Sequence, residues 1–166
     1  MLRNVPATKE GPAPQWGRRI GVAVLLVIVV LGGAGLFGVR SRTVEVSSYG
    51  YTMQVVYPQV ARSGLDVPWR VELQHAGGFG NALTVAVSTD YFRMFETQGW
   101  YPSPDHVADD GQFVYMTFDN PVGDHFVLDY DAYIQPAAQI GKAATVEVIV
   151  DHTIVAKADL KTWLLP

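Results

Sequence analysis

The stretch Phe126-Val127-Leu128-Asp129-Tyr130-Asp131-Ala132-Tyr133-Ile134 decides the fold, because apolar residues occupy every second position and two aspartates lie between them. Successive side chains of a β-strand point to opposite faces, so this alternation predicts a strand with one face in a core and both aspartates in water. Residues 67–74 and 145–150 alternate in the same way. Asp151-His152 then predicts a tight turn into another strand over 154–164.

Other apolar runs extend the strand pattern along the chain, at 43–49, 51–57, 83–88 and 113–118. Clusters of Gly, Pro, Asn and Asp separate them. About 7–8 short strands at this spacing predict an all-β fold, an immunoglobulin-like antiparallel β-sandwich. Asp90 is expected to cap a helical turn or two between the sheets. No cysteine is present, so the stability must come from an apolar core.

Residues 20–39 form an uncharged, apolar run of twenty residues. Basic residues flank it on both sides, Arg18 and Arg19 before it and Arg40 and Arg42 after it. A helix of this length spans roughly 30 Å, the thickness of the hydrocarbon core of a bilayer. The sequence therefore predicts three parts: a disordered basic cytoplasmic tail at 1–19, a transmembrane helix at 20–39 and an extracytoplasmic domain at 43–166.

The orientation follows from the basic residues, four before the run and two directly after it. Cationic flanks stay inside, so we expect a single-pass plasma-membrane protein with a cytoplasmic N-terminus and an extracytoplasmic C-terminal domain. The alternative is a cleaved signal sequence, because 20–31 has the length of a signal's apolar region and 32–35 is made of small residues. The run resumes at 36–39 before Arg40, which favours an uncleaved anchor.

The order of turns and strands carries a resemblance. A Gly64-x-x-Val67-x-Trp69 strand, a glycine-rich turn, a Val85-x-Val87 strand, Pro102-x-Pro104, Asp110-Gly111 and a Pro121/Gly123-Asp124 turn follow one another. This order resembles the immunoglobulin-like, CARDB-like extracytoplasmic modules of bacterial surface proteins. It also resembles small single-pass actinobacterial membrane proteins that end in a Thr-Trp-x-x-Pro-like sequence, here Thr162 to Pro166. The resemblance implies a fold and a cell-surface setting, although the cysteine pair and tryptophan of true immunoglobulin domains are missing.

Neither Gly-x-Ser-x-Gly nor Ser-x-x-Lys occurs, so the chain is expected not to be an enzyme and to need no cofactor. The four histidines, at 75, 106, 125 and 152, lack metal-binding spacing, and each lies near an expected turn. Acidic loops around Asp110 and Asp124 are consistent with calcium, but ordinary turn chemistry is favoured.

The segment 91–102, Tyr-Phe-Arg-Met-Phe-Glu-Thr-Gln-Gly-Trp-Tyr-Pro, has the most unusual composition. Aromatic residues, Met and Arg are enriched at interface centres, so the segment is a candidate partner contact through Tyr91, Phe95, Trp100 and Tyr101. The alternative is that these rings close one end of the sandwich. Trp100 and Tyr101, between Gly99 and Pro102, are expected to be the most exposed.

Taken together, these features predict a non-catalytic, membrane-anchored accessory or interaction protein whose partner is a membrane or cell-envelope protein. From residue 43 onward there are six basic and fifteen acidic residues, which argues against nucleic acid or anionic phospholipid as a partner of the domain. The alternative function is a secreted or tethered module that binds cell-wall glycan through the aromatic segment. A hydrolase with a scattered site is a third, weaker alternative.

Overall fold

A computed structural model of the chain describes residues 12–33, 35 and 38–165. It divides the chain into two compact units, residues 1–38 and 39–166. The first unit contains the helix α1, Pro12–Gly33. The second contains a very short helix and eleven strands within the described residues.

Helix α1 contains a candidate membrane span of 19 residues, Gln15–Gly33. One apolar N-terminal helix of this kind is either a membrane anchor or a signal sequence. The helix begins earlier than expected, because residues 12–19 of the supposed disordered tail are helical, while 1–11 lie outside the described residues. Proline is tolerated at the start, since first-turn N–H groups lack an intrahelical acceptor.

The helix also ends earlier than expected. Its last residue is Gly33, and Gly35, at a φ of 69°, donates its N–H to Gly32 O at 3.0 Å. A glycine with positive φ just beyond a helix is a common way to end it. Residues 34, 36 and 37, which the predicted span included, lie outside the described residues.

The strands of the second unit, with the one-turn helix α2 in its chain position, are β1 (Arg40–Ser48), β2 (Tyr51–Arg62), β3 (Asp66–Gln74), β4 (Ala82–Ser88), α2 (Thr89–Phe92), β5 (Phe95–Tyr101), β6 (His106–Asp109), β7 (Phe113–Asp119), β8 (His125–Ile134), β9 (Ala143–Val150), β10 (Thr153–Lys161) and β11 (Trp163–Leu165). The unit is therefore mostly β, as the alternation predicted. Helix α2 begins after Ser88, so Asp90 lies in its first turn and is not its cap.

Two sheets are formed, with the orders β1-β2-β3-β8-β5 and β10-β9-β4-β7-β6. The pairs along both orders are antiparallel, and β11 adds to β2 as a parallel partner. Tyr49-Gly50 and Asp151-His152 have positive φ at both residues, as two-residue hairpin turns require. The second of these is the hairpin that the sequence predicted.

The inward-facing side chains of both sheets form one core. Those with 0–1% exposure include Met53, Val55 and Val71 from the first sheet and Val85, Met116 and Val148 from the second. Full burial of one such side chain contributes about 1.5–3 kcal/mol. The alternating positions therefore both select the strands and hold the sheets together.

Candidate docking surface

The aromatic segment crosses from the core to the surface of the domain. Helix α2 and strand β5 carry it, and β5 is an edge strand of the first sheet that pairs with β8. Tyr91 is 0% exposed and Phe95 is 2% exposed, whereas Tyr101 is 66% exposed. Trp100 is half-buried. The segment thus supplies both core residues and one prominent surface ring.

Tyr91 belongs to a buried polar chain, which corrects its assignment as a partner contact. Thr162, itself 0% exposed, donates its hydroxyl to Pro58 O at 2.6 Å. A hydroxyl has one proton, so the Tyr91 hydroxyl donates to Thr162 Oγ1, at 2.9 Å. Burial raises the pKa of Tyr91 far above its ordinary value. The Tyr91 side chain therefore closes the end of the core.

Phe95 and Trp100 pack on the same ring, Tyr130 of β8. Phe95 meets it edge-on at 5.9 Å between centroids, and Trp100 stacks on it at 4.0 Å with an interplanar angle of 20°. Phe92 adds an edge contact to Trp100 at 5.1 Å. Because these contacts bury Phe95, it is not a surface contact, and the assignment made for it is corrected. One face of the Trp100 ring is covered in the same way.

Tyr101 lies on the outer face of the first sheet. The register shifts between Thr97 and Gly99, and after this irregularity Trp100 pairs with Tyr130 and Tyr101 with Asp129. Tyr130 is buried in the core, so its neighbour Asp129 points outward, and Tyr101 points outward with it. The sequence expectation of an exposed Tyr101 agrees with this placement.

Five carboxylates share that outer face. Alternation from buried Val71 and Leu128, together with strand register, places them there. They are Glu45, Glu72, Glu96, Asp129 and Asp131. Arg70 of β3 lies on the same face, next to Asp129 of β8. We call this surface, with Tyr101 at its edge, the acidic face.

Arg70 is held by a two-pronged contact with Asp129. Arg70 Nε and Nη2 donate to the two carboxylate oxygens at 2.6 and 3.0 Å. This hydrogen bonding raises the pKa of Arg70 above its ordinary value. The pair orients Asp129 beside Tyr101 and neutralises one of the five carboxylates.

Glu72 has its own partner on the acidic face. His125 Nε2 lies 2.8 Å from Glu72 Oε1, and Gln74 donates to the same oxygen at 3.2 Å. The hydrogen bond from His125 is the main cause that lowers the pKa of Glu72, with Gln74 adding to it. Glu72 therefore ionises more readily than an ordinary glutamate.

A shallow groove of ≈ 350 Å³ lies on this face beside the Arg70–Asp129 pair. Its lining also includes Val56 and Pro68. Apolar residues beside a fixed ion pair and an exposed tyrosine are suited to contact with another protein that presents basic residues around its own contact area. The sequence missed this surface, although the alternation that pointed Asp129 and Asp131 to water already contained the signal.

The acidic loops serve the backbone in this structure. Asp110 accepts the N–H groups of Gln112 and Phe113 at 2.8 and 2.7 Å and the Tyr115 hydroxyl at 2.9 Å. The two backbone bonds are the largest causes that lower its pKa. Asp105 accepts the N–H of Asp119 at 2.8 Å. Within the residues that the structure describes, no three His, Asp or Glu side chains converge as metal ligands.

The four histidines occupy different settings. His75 stacks on Tyr51 at 3.9 Å and approaches Gly78 O through Nδ1 at 2.6 Å. His125 pairs with Glu72, as described above, and His106 lies 3.7 Å from Asp119. His152 lies in the β9–β10 turn with positive φ. His75 and His125 line one shallow groove together with Asp124.

No family model and no curated protein matches the chain. Among solved structures, Pseudomonas fluorescens alkylpurine DNA glycosylase AlkC, bound to DNA containing an abasic site analog, is similar at 14% identity and a TM-score of 0.32. The match covers 66% of this chain and 28% of the glycosylase chain.

This finding corrects one expectation. Missing motifs do not exclude an activity, and this neighbour is an enzyme, so the expectation that the chain is not an enzyme is withdrawn. A likeness with so low an identity and TM-score transfers no activity, substrate or residue role to this chain.

Proposed function

We propose that this chain is a single-pass plasma-membrane protein whose extracytoplasmic domain docks a membrane or envelope protein through the acidic face. The observation that carries the proposal is the combination of an exposed Tyr101 with five carboxylates on one sheet face. Such a surface attracts a partner with a basic patch and repels other acidic surfaces. The partner is accordingly a protein that presents lysine or arginine near the bilayer.

The apolar helix supports the anchor in this proposal. Its candidate span of 19 residues has the length of a bilayer core, and Arg18 and Arg19 lie within its N-terminal part. The excess of basic residues before the apolar run favours a cytoplasmic N-terminus. The acidic domain then lies outside the cell.

The strand order supports an immunoglobulin-like assignment for the domain. The order β2-β3-β8-β5 corresponds to strands A-B-E-D of a constant-type sandwich, and β10-β9-β4 corresponds to G-F-C. Strand β1 extends the first sheet, and β7 and β6 extend the second. Trp69 lies on β3, the B position, and not on strand C as in antibody domains.

The anchor and its orientation are tested directly. The chain has no cysteine, so Val122→Cys, at a position 93% exposed, gives a unique thiol in the domain. We expect an impermeant maleimide to label it in intact cells, and alkaline washing to leave the chain in the membrane. Release by the wash, or labelling only after lysis, would overturn the proposed topology.

Docking is tested with a photo-crosslinking amino acid at Tyr101 and, as a matched control, at Val122. Both positions are exposed, but Val122 lies in the β7–β8 turn, outside the acidic face. We expect one protein adduct of defined mass from position 101, lost on Asp131→Lys, and none from position 122. Equal adducts from both positions, or none from either, would contradict docking through this face.

The glycan alternative has one supporting observation, the exposed ring of Tyr101. Sugar rings stack on such side chains. Retention of the chain by purified wall polymer, abolished by Tyr101→Ala and unaffected by Asp131→Lys, would replace the protein partner with a glycan.

A further inference from the structure

The end of the domain where β1 begins carries basic and aromatic side chains. Arg40 is the first residue of β1 and directly follows the apolar run. Arg40 and Trp163 both pair with Val60 of β2, one from each neighbouring strand. Two strand spacings amount to about 10 Å, so Arg40 and Trp163 lie close together at one end of the first sheet.

The β8–β9 loop is fixed against the same end. Thr162 donates its N–H to Lys142 O at 2.9 Å. Gly141 lies against the backbone, where a Cβ would come within 2.9 Å of Leu164 N and would also collide with Thr162. A side chain at 141 would push the loop away, so glycine holds Ile140 and Lys142 beside the β10–β11 junction.

The side chains at this end point into solvent. Trp163 is 54% exposed and Ile140 is 76% exposed. Lys161 Nζ lies 3.8 Å over the Trp163 ring. Four basic residues are exposed here and form no ion pair with any described residue. We call this surface the basic rim, formed by Arg40, Arg42, Ile140, Lys142, Lys161 and Trp163.

We infer that the basic rim binds the surface of an anionic phospholipid bilayer. Tryptophan favours the membrane–water interface, and each basic residue near an anionic surface raises affinity about fivefold. Six residues separate the end of α1 at Gly33 from Arg40 at the start of β1, and so short a connection keeps the rim within reach of the headgroups. The inference rests on the proposed anchor and adds a fixed orientation of the domain.

The net charge of the domain alone would argue against such binding. Charge is segregated, however, because the β7–β8 and β9–β10 turns, with Asp124 and Asp151, lie at the end of the strands opposite to Lys142. Carboxylates also lie at the end that carries the rim: Asp66 and Glu96, which both pair with Tyr133, Asp90 beside Arg93, Asp109 bonded to Thr89, and Asp159, two residues before Lys161. The positive charge available to lipid is therefore that of the four basic side chains of the rim itself.

The test uses the full chain reconstituted in phosphatidylglycerol or phosphatidylcholine vesicles. An environment-sensitive dye is attached to Ile140→Cys and, as a control, to Val122→Cys, in a chain that has no other thiol. Quenching by lipids that carry a nitroxide at the headgroup measures contact. We expect quenching at position 140 in phosphatidylglycerol vesicles, little in phosphatidylcholine, and little at position 122 in either.

Charge reversal sharpens the test. Lys142→Glu with Lys161→Glu should lower the population in contact by tenfold or more, as should high salt, given about fivefold for each basic residue. Lys157→Glu is the matched control, because this lysine lies mid-strand on β10 and pairs with Glu147 at 2.9 Å. It should leave the quenching unchanged.

The outcomes separate the two proposals. If the chain floats with both kinds of vesicle but the dye at position 140 reports water, the anchor stands and the basic rim does not bind lipid. If the chain does not float with vesicles at all, the anchor fails and the inference fails with it. Equal quenching at 140 and 122 would also overturn the inference.

Discussion

The two halves of the aromatic segment have similar compositions and opposite surroundings. Tyr91 is fully buried, whereas Tyr101, ten residues later, has two thirds of its surface in solvent. The short helix α2 places Tyr91 over the end of the core, and the register shift before Gly99 makes Trp100 face inward and Tyr101 outward. Exposure is therefore set by position along the strand, and composition does not decide it.

The largest expected effect is that of Tyr91→Ala. The substitution opens a cavity and removes the hydroxyl that bonds Thr162, so the free energy of unfolding should fall by about 3–5 kcal/mol. Urea denaturation of the detergent-solubilised full chain measures it. A loss under about 1 kcal/mol would mean that Tyr91 is not a core residue.

Trp100→Ala should have an intermediate effect. The ring is half-buried and stacks on Tyr130, so its loss should lower the free energy of unfolding by about 2 kcal/mol. Trp100→Phe, which keeps an aromatic ring against Tyr130, should recover part of the loss. If both variants are as stable as the wild type, the stacked arrangement is wrong.

A smaller effect concerns the pH dependence that Tyr91 confers. Its pKa is raised in the folded chain, so above pH 10, its ordinary value, the unfolded chain loses this proton while the folded chain keeps it. Stability should therefore fall with rising pH by up to about 1.4 kcal/mol per pH unit. Unfolding curves between about pH 9 and 11 measure this slope.

Tyr91→Phe is the matched variant for the pH effect. It retains the ring and leaves the bond from Thr162 to Pro58 in place. Its free energy of unfolding should fall by about 1 kcal/mol at neutral pH, and its alkaline slope should be shallower than that of the wild type. An unchanged slope would show that another group causes the pH dependence.

The smallest effect is expected for Tyr101→Ala. Substitution of an exposed residue that has neighbours on one side alone changes the free energy of unfolding by about 0.5 kcal/mol or less. The melting temperature should hence match that of the wild type. A large drop in melting temperature would move Tyr101 into the same structural class as Tyr91.

The strands were predictable wherever a buried and an exposed face alternate. Residues 126–134 form β8 almost to the residue, because its inward positions carry Leu128, Tyr130 and Ala132, which no other register would bury. The hairpin at Asp151-His152 was predictable for a related reason, since such residues tolerate positive φ.

The remainder depends on partners distant in sequence. Strand β5 has no apolar alternation and becomes a strand because β8 offers it an edge. The sequence therefore suggested a partner contact, or rings that close one end of the sandwich, and not a strand. Strand β11 exists through its pairing with β2. The acidic face and the basic rim escaped notice for a similar reason, because each collects charges from several strands, and a net charge averages them.

The buried chain from Tyr91 through Thr162 to Pro58 has a consequence for how the domain forms. The bond between Tyr91 and Thr162 joins residues that are 71 positions apart, and the bond between Thr162 and Pro58 joins residues that are 104 positions apart. No short fragment of the chain therefore contains all three polar groups. Each of these polar groups, if it is buried without its hydrogen-bond partner, opposes folding by about 1–3 kcal/mol. The domain should consequently assemble in one late, all-or-none event, on the millisecond-to-second timescale of proteins rich in distant contacts.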